Sequence, residues 1–305
     1  MTPDVVIVGA GPAGVSAALW ARSLDLVPEV LESGPAPGGQ LELIHFHPLD
    51  FAGLKGGDGP AIAAVLAQQL VDAGIEVRCG VAAVALEAGG GTGPRVITAD
   101  GATHRGGAVL VASGVRRRRL EIPGERELEG RGVSTSATRD RAMFAGRPVF
   151  VVGGGDAAYE NALLLSAVGC PVTLVVREQP RARPEFIARV ARDPRIQVLA
   201  ASRLTAIHGR ERVTGVEIES AGRRFGQPAE GVVIKVGVIP NTEWCANTLE
   251  LDADGHLRVD EALRTSRPRV WAAGDVAHSV IAGLAVAIGQ GAQAMGAIRS
   301  VLRPA

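Results

Sequence analysis

Residues 4 to 32, DVVIVGAGPAGVSAALWARSLDLVPEVLE, constrain the fold more than any other stretch of the chain. The apolar run Asp4 to Val8 predicts a strand, Val15 to Ser23 a helix of small residues, and Glu29 to Leu31 a second strand ending at Glu32. Between the first strand and the helix, Gly9, Gly11 and Gly14 spell Gly-x-Gly-x-x-Gly. That spacing permits a tight turn and a close backbone approach to a pyrophosphate at a helix N-terminus, and an acid closing the second strand can accept ribose hydroxyls. With 40 glycines in 305 residues, the glycine spacing alone carries little weight. The order strand, glycines, helix, strand and acid makes it a dinucleotide-binding unit.

A second unit follows in RPVFVVGGGDAAYENALLLSAVGCPVTLVVREQPRAR, residues 147 to 183. Here a strand is expected over Val149 to Val152, a Gly-x-Gly-x-x-Ala turn at Gly153, Gly155 and Ala158, a helix to about Val168 and a strand over Val172 to Val176. The second strand runs into Arg177, with Arg181 and Arg183 beyond it. Arginine in that place can pair with a 2′-phosphate and favours NADPH, although Glu178 beside Arg177 opposes a phosphate and keeps NADH open. Arg183 reads as a solvated loop residue. Two dinucleotide sites in one chain point to a flavin and a nicotinamide. Near the C-terminus, Val270 to Ala272 reads as a strand, and the turn Gly274-Asp275 places a carboxylate that can accept hydrogen bonds from a ribityl chain.

Composition narrows the partners. Thirty-two basic residues balance 32 acidic ones, so no overall field draws the chain to nucleic acid or an anionic membrane, and aromatics at 3% do not supply base-stacking platforms. Cys79, Cys170 and Cys245 stand far apart with no Cys-x-x-Cys, which suggests neither a disulfide framework nor a zinc site and fits a cytoplasmic, reduced chain. The N-terminal run carries Asp4 and glycines where a signal peptide has a basic start, and Ser279 to Ile298 contains glutamines and glycines that suit a buried helix rather than a membrane span. His45 and His47 form His-x-His without a third ligand, so no metal is expected.

With these residues in place the chain resembles the low-molecular-weight thioredoxin reductases over nearly all of its length. The matching pieces are VGAGPAG, PGGQL, LVASGVRRRRLEIPGERELEGRGVS, VVGGGDAAYENALLL, IKVGVIPNT and VWAAGDV. The resemblance implies an α/β fold of two Rossmann-like dinucleotide-binding domains, the NAD(P)H domain inserted into the FAD domain. It implies FAD binding in 1 to 114 and 242 to 305, the insert in 115 to 241 with hinges near Val115 and Pro240, and a homodimeric assembly. It implies FAD contacts from Gly9, Gly11, Pro12, Ala13, Gly14, Glu32, Gly39, Gln40, Leu41, Asp50, Gly114, Gly274 and Asp275. The NAD(P)H contacts it implies are Gly153, Gly155, Asp156, Ala157, Ala158, Arg177 and Arg181.

The departures bear most on function. Where the family carries Cys-Ala-Thr-Cys-Asp, this chain reads Ser136-Ala137-Thr138-Arg139-Asp140. A hydroxyl and a guanidinium cannot cycle with a disulfide. The family's Arg-Gln after the AGDV turn becomes Ala282-Gly283, and its Asn-x-Pro-Gly becomes Asp50 to Gly53, DFAG. These changes resemble the ferredoxin or flavodoxin NADP reductases of the same fold, although the chain stops at IRSVLRPA without their aromatic extension.

The reading is an NAD(P)H oxidoreductase whose flavin passes electrons directly to an external acceptor, either a small acidic carrier such as ferredoxin or flavodoxin or a small molecule. Ser136, Arg139 and Asp140 are the catalytic candidates. Arg139 is expected near the flavin, where its charge favours the reduced anionic form, or simply paired with Asp140, and Asp140 keeps the place of the family's proton donor. Arg116 to Arg119 lie in a segment with nine arginines and five acids and form either a solvated face or a docking patch. Lys235 is expected at a strand edge or domain interface. The alternatives are an FAD-binding redox sensor or scaffold with little turnover, or a flavoprotein with another electron donor.

Overall fold

The computed structural model describes residues 2–48, 51–52, 56–89, 93–279 and 281–304. Following the chain, β1 (Val5–Val8), α1 (Pro12–Ser23), β2 (Pro28–Glu32), α2 (Gly59–Asp72) and β3 (Val77–Cys79) lead into a small sheet of β4 (Ala83–Glu87), β5 (Arg95–Thr98) and β6 (Thr103–Arg105). Then come β7 (Ala108–Val111) and β8 (Val115–Arg117). Next are β9 (Val133–Ser134), α3 (Ala137–Phe144), β10 (Val149–Val152), α4 (Asp156–Ser166), β11 (Val172–Val175), α5 (Pro184–Arg192) and β12 (Ile196–Leu199). A meander of β13 (Ser202–Gly209), β14 (Val213–Ser220) and β15 (Arg223–Pro228) precedes β16 (Gly231–Ile234) and β17 (Val238–Pro240). The chain ends with β18 (Val270–Ala272) and α6 (Leu284–Leu302).

Two compact units result, Met1–Arg116 with Ile239–Ala305, and Arg117–Val238. The first is built on the sheet β18-β7-β1-β2-β3 and the second on β12-β11-β10-β16-β9. Read from opposite ends, the two orders match strand for strand: β1 corresponds to β10, β2 to β11 and β7 to β16. Every pairing in both sheets is parallel. Parallel strands covered on both faces must be apolar at every position, and β1 and β10 are buried throughout. Val5 and Ile7 face the helix side with Ala17 and Ala294, whereas Val6 and Val8 face Leu86 and Leu257. In the second unit Val149 and Val151 join the helix-side core, and Phe150 and Val152 join Ile207 and Val216 of the meander.

The elements begin and end within a few residues of the expected places, and the shifts have local causes. α1 starts at Pro12 instead of Val15, because the glycine turn already contains the first helical turn and proline at its start loses no needed N–H. α4 ends at Ser166, just ahead of Gly169 at φ +84°. β1 starts at Val5, while the Asp4 carboxylate accepts the Val27 N–H at 2.8 Å.

α6 packs closely on α1. The Ser16 hydroxyl donates to the Ile288 carbonyl at 2.7 Å, and a Cβ on Gly291 would lie 2.2 Å from the Ala13 oxygen. A Cβ on exposed Gly296 would meet nothing within 4 Å. Gly291→Ala should therefore destabilise the fold by about 2 kcal/mol despite alanine's higher helix propensity. Gly296→Ala should stabilise it by about 0.5–1 kcal/mol. Urea unfolding of both variants measures the pair, and equal shifts of the same sign would contradict the close helix contact.

Candidate functional site

At the carboxyl edge of the first sheet lies a cavity of about 530 Å³. Its walls bring together Gly9, Gly11, Pro12, Ala13, Glu32, Gly39, Gln40, Leu41, Gly114, Gly274 and Asp275 from segments far apart in the chain. Gly14 is not on the wall. It supports the turn from behind, where a Cβ would fall 1.8 Å from the Gly9 oxygen. Asp50 lies outside the described residues.

The turn at Gly9 is forced. With φ at +107° a Cβ there would stand 2.3 Å from the Ala112 carbonyl at the end of β7. Glu32 is buried, and its two oxygens accept the N–H groups of Ala10 and Gly34, both at 2.7 Å. A carboxylate oxygen has a second lone pair, so Glu32 keeps capacity for ribose hydroxyls. Gln40 donates to the Val115 oxygen at 2.7 Å, and the Gly274 N–H donates to Gln290 at 2.8 Å. Burial pushes the Asp275 carboxyl above its ordinary value, with nearby His256 opposing the shift.

Ser113, Asn241 and Trp244 are among the wall residues that the sequence expectation did not include. Asn241 donates to the Ser113 carbonyl at 2.8 Å and Ser113 donates back to the Asn241 carbonyl at 2.8 Å, closing the wall across 128 residues of sequence. Trp244 holds a buried indole N–H without a partner among the described residues. Glycine turn, helix start, ribose-level carboxylate and an orphaned donor together fit a dinucleotide.

In the second unit, Gly153 has φ +146° and a Cβ would lie 2.1 Å from the Lys235 oxygen, the counterpart of the Gly9 contact. Gly155 caps α4, whose first turn carries Asp156, Ala157 and Ala158. Asp156 accepts both the backbone N–H and the Nε of Arg183 at 2.7 Å. Arg183 stays in the loop before α5 with 66% of its side chain exposed, and its guanidinium lies 4.8 Å from the Phe186 ring centre. The Arg181 N–H donates to the Gly154 oxygen at 2.7 Å.

Strand register sets Arg177 one residue beyond the place of Glu32. Gly9 N–H donates to Leu31 and Gly153 N–H to Val175, so the counterpart of Glu32 is Val176, which is buried. Arg177 comes one residue later, with 77% of its side chain exposed and an ion pair to Glu178 at 2.9 Å.

Ser136, Arg139 and Asp140 come together at the start of α3. Ser136 is 7% exposed and caps the helix by accepting the Arg139 N–H at 3.3 Å. Asp140 accepts Nε and Nη2 of Arg139 at 2.7 Å each, and also the Ser134 hydroxyl. This bidentate clamp fixes the guanidinium, which is 43% exposed. Arg117 donates to the Thr135 carbonyl at 2.9 Å, and burial together with Arg139 holds its pKa down. Of the basic run, Arg116 pairs with Glu243 and Arg119 with Glu129.

His47 Nδ1 lies 2.9 Å from the Gly57 oxygen, and among the described residues no group of three metal-binding side chains forms. No helix among them is long and apolar enough to cross a membrane. The three cysteines are free.

The model of the pyridine nucleotide-disulphide oxidoreductase family matches residues 3–291. The chain belongs to that family. It is similar to the thioredoxin reductase of Listeria monocytogenes, 34% identical over 292 residues that make up 94% of this chain and 90% of the relative. The bifunctional thioredoxin reductase/thioredoxin of Mycobacterium leprae is also 34% identical, and the chain spans 64% of its length. Among solved structures, Lactococcus lactis thioredoxin reductase in its FR conformation superposes with a TM-score of 0.84 at 30% identity, covering 99% of both chains. The family member described here is an α/β protein with two dinucleotide-binding folds and thioredoxin reductase-like architecture.

Thiol accessibility checks the cysteine placement. Cys79 is exposed, whereas Cys170 and Cys245 are buried and burial pushes the Cys245 thiol up to about 12. Iodoacetamide at pH 8 should label Cys79 alone in the native protein and all three after unfolding, as read by mass spectrometry. Native labelling of Cys245 would contradict the packing.

Proposed function

We propose that the chain is an FAD-dependent NAD(P)H oxidoreductase that serves an external acceptor without a protein dithiol. The unit of residues 1–116 and 239–305 holds FAD, and the unit of residues 117–238 holds NAD(P)H. The observation that carries the reading is the state of the two positions where the resemblance implies sulfurs: Ser136 is spent on capping α3, and Arg139 is clamped by Asp140. Neither can form or break a disulfide.

When bound, the flavin supplies hydride acceptance from the nicotinamide and electron release to the acceptor. The chain's own residues bind and orient. The Gly9 to Gly14 turn and the start of α1 receive the diphosphate, and Glu32 accepts ribose hydroxyls. Asp275 accepts from the ribityl chain. Asp140, with both oxygens engaged, holds Arg139 as a fixed positive charge and does not pass a proton to a dithiol. The ion pairs of Arg116 and Arg119 favour a small-molecule acceptor over an acidic protein docked on that run.

Anaerobic stopped-flow mixing of the yellow holoprotein with NADPH, and separately NADH, should bleach the flavin band within seconds. Reductive titration should consume about two electron equivalents per flavin, where a flavin plus a redox disulfide consumes about four. Thioredoxin should not be reduced. A titration ending near four equivalents together with thioredoxin turnover would refute the dithiol-free reading, and bleaching by dithionite but by neither nucleotide would refute NAD(P)H as donor.

A further inference from the structure

Only two lysines occur in the chain, Lys55 and Lys235, among 32 basic residues. Lys235 directly follows β16, and its position is defined by both sheets. Its N–H donates to the Val152 oxygen at 2.8 Å, as the Ala112 N–H donates to the Val8 oxygen at 2.8 Å. Its own carbonyl abuts Gly153, as that of Ala112 abuts Gly9. Lys235 is therefore the counterpart of Ala112, and Ala112 lines the cavity of the first unit.

Alternation fixes the face as well. Val233, two residues earlier, packs with Ala137, Ala158 and Tyr159, so Lys235 emerges on the side of the sheet that carries α3 and α4. Among the described residues its ammonium donates no hydrogen bond and closes no ion pair within 4 Å. A half-buried, unpaired ammonium is costly unless an anion completes it.

Resting on the assignment of the nicotinamide nucleotide to residues 117–238, we propose that Lys235 binds the diphosphate of that nucleotide beside the Gly153 turn. Burial, then Arg117 from β8, lower the Lys235 amine to about 8, while Glu160 from α4 opposes them. The ammonium is thus present below about pH 8 and lost above it, whereas the Arg117 guanidinium keeps its charge. Nucleotide affinity accordingly falls as pH rises through 8.

Calorimetric titration of the oxidised holoprotein with NADP⁺ and with NAD⁺ at pH 7 and pH 9.5 tests this. Wild type should bind both about tenfold more weakly at the higher pH, and Lys235→Gln should bind about tenfold more weakly at pH 7 with no pH dependence. Lys235→Arg should keep the pH 7 affinity and lose the pH dependence, which separates charge from packing. Equal affinities of wild type and Lys235→Gln would overturn the proposal. An effect on NADP⁺ but not NAD⁺ would also overturn it, because the partner would then be the 2′-phosphate. If wild type bound neither nucleotide, the assignment of the nicotinamide nucleotide would fall and this inference with it.

Discussion

Both units depend on a Cα pressed against the carbonyl of a neighbouring strand. Gly9 meets Ala112 and Gly153 meets Lys235 at distances that no side chain survives. Only a residue without Cβ can follow the strand there, turn at positive φ and let the next helix begin at once over the sheet's carboxyl edge. The crevice of the first unit exists because α1 starts two residues after Gly11's predecessor instead of looping away.

The third position of each fingerprint shows how closely the helix is held. A Cβ on Gly14 would fall 1.8 Å from the Gly9 oxygen, so the first helix demands glycine. In the second unit Ala158 occupies the same place, and its Cβ is accommodated in the core. Gly-x-Gly-x-x-Gly and Gly-x-Gly-x-x-Ala therefore report different helix-to-strand spacings at the two turns.

Several arginines of this protein are paired with nearby acids. Arg183 closes on Asp156, Arg139 on Asp140, Arg177 on Glu178, and Arg116 and Arg119 each find a glutamate. Such exposed pairs contribute little stability individually. Their effect is to set acids against the arginines of runs that read as strongly basic in one dimension. The strand register places Val176, and not Arg177, at the counterpart of Glu32.

The sequence by itself determined the elements whose causes are local. Apolar runs, glycine turns, the buried strands β1 and β10 and the absence of a Cys-x-x-Cys could all be read from neighbouring letters, because steric limits and periodicity act within a few residues. Ser136 and Arg139 could be seen to replace sulfurs, but not that one caps a helix and the other is clamped, since those roles need the turn between β9 and α3. Tertiary structure alone decided the mutual Ser113–Asn241 hydrogen bonds, the orphaned Trp244 donor and the placement of Lys235 beside Gly153. The Ser113–Asn241 and Lys235–Gly153 contacts join residues far apart in the chain, and sheet pairing, which linear distance does not encode, brings them together.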